Sequence, residues 1–195
     1  RNNIFDLAGV FKIEDDDYPM NFKLITRNFN IAPFSAIGEN VLQNFKGYFN
    51  SDIDVTGTFY KPIFEGYINA IDSSFDVPYL GLRYGFVDDP TFTLSNQTIN
   101  IKDFTLNEKK SNTSGVMNGK ISHNRLKDWF LDFKIESKNL IALNTQSSEN
   151  EYYYGTGFLN GSAYFIGPGQ DLDIEINGAT QENTKIIIPI RYGDG

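Results

Sequence analysis

Between Phe130 and Ile190 apolar and polar residues alternate through one segment after another. Leu131, Phe133 and Ile135 fall on one side, with Asp132, Lys134 and Glu136 on the other. The beat returns at Leu172, Ile174 and Ile176 against Asp171, Asp173 and Glu175, and again at Ile186, Ile188 and Ile190. A period of two describes half-buried β-strands, whose side chains point alternately to two faces. What covers the apolar face decides what such a chain can do. Alternation is the same for an open groove and for a closed core, so that question has to be taken to the residues between the strands.

Composition agrees with an all-β chain. Phe (17) and Tyr (11) are abundant, Gly is frequent (17), and there is one Trp. A length of 195 residues suits one continuous β domain over residues 1–195. The absence of Cys excludes disulfides, thiolate zinc sites and a thiol nucleophile. A net charge of −8 argues against nucleic acid as a partner, which needs clustered Lys and Arg. No apolar run reaches the roughly 18 residues of a spanning helix, and no basic segment followed by an apolar one marks a signal peptide. The chain starts without Met and ends abruptly, which reads as a piece of something longer.

Along the chain, strands are expected from Leu7 to Ile13 and from Met20 to Thr26, around the acidic turn Glu14 to Asp17. Ile31 to Leu42 breaks the beat and reads as a loop or a single helical turn, because Pro33 and Gly38 leave little room for more. A unit then occurs twice. Gly47 opens a run through Ile53 and Val55 to Gly57, followed by a proline turn and a new strand at Tyr67. Gly161 opens a run through Ala163 and Phe165 to Gly167, followed by Pro168 and the strand from Asp171 to Asn177. Such repetition fits strands added side by side along one axis, and equally two hairpins of a sandwich. Short strands are expected at Leu82 to Phe86, Thr91 to Leu94, Thr98 to Lys102 and Phe104 to Glu108, with a polar loop at Ser111 to Gly115. Asn118-Gly119 reads either as a hairpin turn or as a strand with a glycine kink.

Catalytic motifs are not found: there is no Gly-x-Ser-x-Gly elbow, Walker loop or dinucleotide fingerprint. His123, five residues before Asp128, reads as a strand-end or loop residue rather than half of an acid–base pair. Asp15, Asp16 and Asp17 lack calcium-loop spacing and read as a solvated turn. Asp171, Asp173 and Glu175 share one face of one strand, which suits a water-facing surface. Trp129 reads as a strand-edge packing residue. The expectation is no enzyme, no metal and no cofactor.

Three stretches resemble a known family. They are Phe75 to Tyr84 after the strand Gly66 to Ala70; Gly119 to His123 with the Trp129 to Ile135 strand and Asn139 to Thr145; and Tyr153 to Gly157 with the Gly161 repeat and Thr184 to Ile190. In this order they resemble the TamB family of the AsmA-like superfamily, in its Bacteroidetes-type form, from about Gly47 to Ile190. The block around Tyr154-Gly155-Thr156 and the closing Ile188-Pro189-Ile190 are the most specific part.

The resemblance implies an elongated U-shaped β-sheet (a β-taco) with an apolar concave groove. It also implies a periplasmic protein bound to the inner membrane by an N-terminal helix outside this segment, an outer-membrane barrel of the TamA/Omp85 type as partner, and phospholipid acyl chains as cargo. Support of outer-membrane protein assembly belongs to the same role. The groove would be lined by Phe22, Leu24, Ile53, Val55, Phe59, Ile99, Ile101, Leu131, Phe133, Ile135, Leu172, Ile174, Ile176, Ile186, Ile188 and Ile190. An acyl chain exposed to water forfeits about 0.8 kcal/mol per CH₂, on the order of 11 kcal/mol for about fourteen groups, so a continuous apolar track removes a large barrier without any catalyst. The alternatives left open are a closed β-sandwich acting as an adhesion or carbohydrate-binding module, and a scaffold whose sheet edge templates client strands.

Overall fold

Neighbours in sequence become neighbours in space, as expected of hairpins whose strands each have one face to bury. The computed structural model describes residues 3–14, 19–34, 42–168, 171–179 and 181–189. Its strands are β1 (Ile4–Phe11), β2 (Met20–Asn30), β3 (Gln43–Gly57), β4 (Pro62–Val77), β5 (Leu82–Phe86), β6 (Thr91–Asn96), β7 (Thr98–Glu108), β8 (Thr113–Asn124), β9 (Lys127–Thr145), β10 (Tyr154–Pro168), β11 (Asp173–Ala179) and β12 (Lys185–Ile187). They form one 12-stranded sheet in the order β1-β2-β3-β4-β5-β7-β8-β9-β10-β11. β6 continues the position of β5 between β4 and β7, and β12 pairs with β10 further along from β11. Every pairing is antiparallel.

The all-β expectation holds, and the sheet is open: β1 and β11 stand at its two ends and do not pair with each other. The sandwich alternative does not form, since among the described residues no second sheet lies on the first. Several strand limits also change. β1 starts earlier, at Ile4, and the stretches at Thr98 and Phe104 are one strand, β7, bent between them. Gly47 and Gly161 lie inside β3 and β10 rather than opening them. Among the described residues of the 31–42 stretch, Ala32–Phe34 form a 3-10 turn. Asp15 to Asp17, residues 35–41 and 169–170, and Ile190 lie outside the described residues.

The bends have a recurrent cause. Asn28 on β2, Asp72 on β4 and Asp103 on β7 have φ of 49°, 44° and 56°, a region that Asn and Asp tolerate better than other side chains. Each sits at a β-bulge or next to a break in register. A side-chain oxygen satisfies each displaced N–H: Asn50 accepts from Asn28 at 2.9 Å, Asp89 from Asp72 at 2.8 Å, and Asn118 from Asp103 at 2.7 Å. The bulge brings residues three apart, such as Thr26 and Phe29 or Ile101 and Phe104, to the same face.

Two glycines bend strands by a second route. Gly66 and Gly119 have φ of 143° and 147°, which resolves Asn118-Gly119 as a strand kink rather than a turn. A Cβ on either would collide with the backbone carbonyl of Asp52 or Asp132 on the next strand. Gly119→Ala is therefore expected to cost about 3 kcal/mol, combining backbone strain with the collision. Urea unfolding checks this; a loss below about 0.5 kcal/mol would mean that the strand relaxes freely.

Candidate functional site

Register alone shows how far one face extends. Leu7 pairs with Leu24, Leu24 with Ile53, Ile53 with Gly66 and Gly66 with Leu94. The row continues from Leu94 through Ile99, Ile121 and Leu131 to Gly167. Directly opposed residues share a face, so a single side of the sheet carries this row from β1 to β10. Two parallel rows reach β11: Ile101, Gly119, Phe133, Phe165 and Ile174; and Met117, Ile135, Ala163 and Ile176.

The groove residues expected from the sequence converge on this face. Phe22 and Val55 are paired on it, and Leu24, Ile53, Ile99, Ile101, Leu131, Phe133, Ile135, Ile174 and Ile176 stand in its rows. Ile186 joins through Gly155, and its side chain lies where a Cβ on Gly157 would meet it, beside Leu143. Three others differ from the strand expectation. Phe59 lies in the exposed turn after β3, its ring 5.3 Å from that of Phe11; Leu172 precedes β11; and Ile188 follows β12 in the open.

The sheet curls toward this face. Each strand-to-strand step is about 4.8 Å, so β5 and β9, three steps apart, would lie roughly 14 Å apart in a flat sheet. Yet the Tyr84 hydroxyl on β5 donates to the Ile141 carbonyl on β9 at 2.6 Å. Burial, reinforced by the charge of Glu108, pushes the Tyr84 phenol far above its ordinary pKa. At the other end of the same section Phe64 of β4 meets His123 of β8, ring centroids 5.6 Å apart. The apolar face is thus the concave one.

Its centre is filled by the protein's own side chains. Phe75, Tyr84, Phe86, Phe92 and Phe104 form a connected group of rings, 4.7 Å apart at Phe92–Phe104 and 5.8 Å at Phe75–Phe86. They pack with Ile101, Leu106, Met117, Leu140, Ile141, Leu159 and Ala163. The ring group is not apparent in the sequence because bulges shift the alternation just before Phe75 and Phe104; the usable signal is an aromatic residue two positions from another apolar one, as in Phe75 and Val77, Tyr84 and Phe86, Phe92 and Leu94, and Phe104 and Leu106. Toward the sheet ends the same face becomes exposed. Ile101 is 3% exposed, whereas Ile174 is 51% and Ile176 64%. At the β1 end Phe5, Phe29 and Phe49 make an aromatic ladder with steps of 5.5 and 5.3 Å, beside a cleft of about 210 Å³.

Most charges occupy the convex side; Glu108, buried in line with Phe104 and Leu106, is an exception, its carboxylate accepting from the backbone N–H groups of Lys110 and Ser111 and from the Ser111 hydroxyl. Lys23 pairs with Asp52 at 2.5 Å and Asp54 at 3.0 Å, and these hydrogen bonds, Asp52 first, hold its ammonium above the ordinary lysine pKa. Lys120 pairs with Asp132, and Lys134 with Glu136 while lying 5.1 Å from the Tyr164 ring centroid. Exposed pairs of this kind add little stability, but they mark the water-facing side.

Polar groups on the concave side are few. The Thr26 and Ser51 hydroxyls bond each other at 2.9 Å, while Ser73 Oγ and Thr145 Oγ1 are buried without a partner among the described residues. Among the described residues His123 and Asp128 do not form an acid–base pair: His123 Nδ1 accepts from the Leu126 N–H, and Asp128 accepts from Asn124. Among the described residues no group of three His, Cys, Asp or Glu side chains could hold a metal ion. No helix among them is long and apolar enough to cross a membrane.

Fold and face together define an open antiparallel β-sheet with a self-filled centre and exposed apolar flanks. No protein-family model, curated protein or solved structure matches the chain.

Thr145 is 6% exposed, so Thr145→Val removes a desolvated hydroxyl that bonds nothing among the described residues and is expected to stabilise the fold by about 1 kcal/mol in chemical denaturation. A loss of stability would reveal a partner for that hydroxyl. Two further substitutions separate flank from centre. Ile174→Asp leaves a hydrated carboxylate and a melting temperature within a few degrees of the parent, whereas Ile101→Asp buries an unpaired charge, costs several kcal/mol and unfolds the sheet. Similar melts for both variants would contradict the difference in burial.

Proposed function

We propose that the chain is an acyl-chain-bearing segment of an elongated cell-envelope β-protein, its concave face receiving the hydrocarbon tails of phospholipid between two membranes. The observation that carries this reading is the apolar face itself: continuous in register from β1 to β11, on one sheet, and open to the surroundings at both flanks. Covering Ile174, Ile176 and Ile186 with hydrocarbon removes apolar surface from water at roughly 25 cal/mol per Å². No polar pocket is needed if the head group stays at the open rim. The TamB-like stretches support the same reading, and with it an inner-membrane anchor elsewhere in the protein, an Omp85-type barrel as partner and a part in outer-membrane protein assembly.

The filled centre refines the picture. Acyl chains lie at the two ends of the face, on β1 and on β11 and β12, where Phe5, Leu7, Ile174, Ile176 and Ile186 are uncovered, rather than on β3 and β10, whose Ile53 and Ala163 are already buried, or through the packed rings. Mass spectrometry of gently purified protein tests the proposal: phospholipid at near-stoichiometric amounts is expected. Its depletion in an Ile174→Asp, Ile176→Asp variant that remains folded would assign it to the β11 flank. Lipid-free protein, or lipid retained unchanged by the folded variant, counts against that assignment. A compact monomer that instead binds immobilised glycans would favour the binding-module reading.

A further inference from the structure

Two contacts tie non-neighbouring strands across the concave face, at opposite ends of the section from β4 to β9. The Tyr84–Ile141 hydrogen bond closes one end and does not titrate near neutrality. The other end is closed by a ring cluster. His123, 8% exposed, stands edge-on to Phe64 at 5.6 Å and 4.9 Å from the Trp129 ring. Its backbone N–H donates to the Gln97 carbonyl at 3.0 Å, and its ring Nδ1 accepts from the Leu126 N–H at 3.2 Å. β4 and β8 are three steps apart in the sheet, so this cluster holds that end curled.

The cluster needs a neutral imidazole. A proton on Nδ1 would set a donor against the Leu126 N–H and place a cation in a desolvated ring pocket. Attraction to the Trp129 face offsets only part of that cost. The charged residues nearest this end of the packed elements are Lys61 just before β4 and Glu65 on it, Lys120 and Asp132 on the convex side of β8 and β9, and Arg125, Lys127 and Asp128 at the turn between them. None of them hydrogen-bonds to or ion-pairs with the imidazole, and the β6–β7 turn contributes the neutral Asn96 and Gln97.

We propose that His123 is a proton-operated latch. Neutral, it pins β8 and β9 onto β4 across the concave face; protonated, it releases them and opens that end, while the Tyr84 tie holds the other. Burial pulls the imidazole below its ordinary pKa, as it must if closure prefers the uncharged ring. The sign follows. The latch is at full strength above the ordinary imidazole value of about 6.5 and weakens as pH falls through the lowered value.

The sequence supplies its own probes, because His123 is the only histidine and Trp129 the only tryptophan. On the full chain, the imidazole proton resonance reports the titration and acrylamide quenching of Trp129 reports opening, between about pH 7.5 and about pH 4.5. The expected result is a His123 midpoint below 6.5, with Trp129 quenching rising at that same midpoint. The Leu126 and His123 amides should lose exchange protection together, and the far-UV spectrum should stay unchanged. His123→Phe keeps a ring in the cluster without a proton site, and its quenching should be flat over this range. The wild-type coincidence of the two midpoints decides the matter if that variant fails to fold. Flat quenching through the imidazole titration would overturn the latch. So would a pH-dependent rise that persists in folded His123→Phe, or loss of the whole sheet at the imidazole midpoint.

Discussion

An apolar sheet face gains free energy only where water is removed from it, and here no α-helix and no second sheet lies on that face among the described residues, the 3-10 turn Pro78–Leu80 adding only Leu80 to the core. The sheet therefore buries the face against itself. Much else in the structure answers to that requirement. Bulges at Asn28, Asp72 and Asp103 bend strands while keeping each residue set on its side. Gly66 and Gly119 let neighbouring backbones approach more closely than a Cβ would permit. Tyr84 and His123 then join strands that a flat sheet would hold far apart. Curling is most complete in the middle, where strands on both sides contribute rings, and it fades toward the ends for want of further strands.

That gradient gives the molecule two kinds of apolar surface. In the centre, Ile101, Phe104 and Leu106 behave as an ordinary core, close-packed and intolerant of charge. At the flanks, Ile174, Ile176 and Phe5 present the same chemistry to the surroundings. A large exposed apolar patch on a folded sheet marks contact with something else. The proposed lipid role places hydrocarbon there. The centre then acts as the rigid spine that holds both flanks in shape, and the latch at His123 would set how firmly one end of that spine stays curled.

The two edges differ in how they meet water. All eight residues of β1 and all seven of β11 are exposed. β11 alternates Asp173 and Glu175 with its isoleucines, and charges of this kind discourage pairing between chains. β1 carries Asp6 but also Ile4 and Val10 on its convex side, so it has much weaker protection.

Much of this could be read from local pattern. Leu131, Phe133 and Ile135 alternate with charged residues, so they had to share a face in any antiparallel sheet, and pairing through Phe165 and Ala163 puts Ile174 and Ile176 beside them. The strand class and the water-facing side are properties of adjacent residues, and a period of two expresses them directly. The ring group of Phe75, Tyr84, Phe86, Phe92 and Phe104 was hidden, because a bulge shifts the period and only register restores it. The choice between groove and core was hidden more deeply. Ile101 and Ile174 sit in the same kind of alternating run and share a row, yet one is enclosed and the other stands open. The sequence alone determined which side of the sheet is apolar. Only the tertiary structure decided how much of that side is covered, because coverage depends on how far each strand lies from the end of a sheet that curls onto itself.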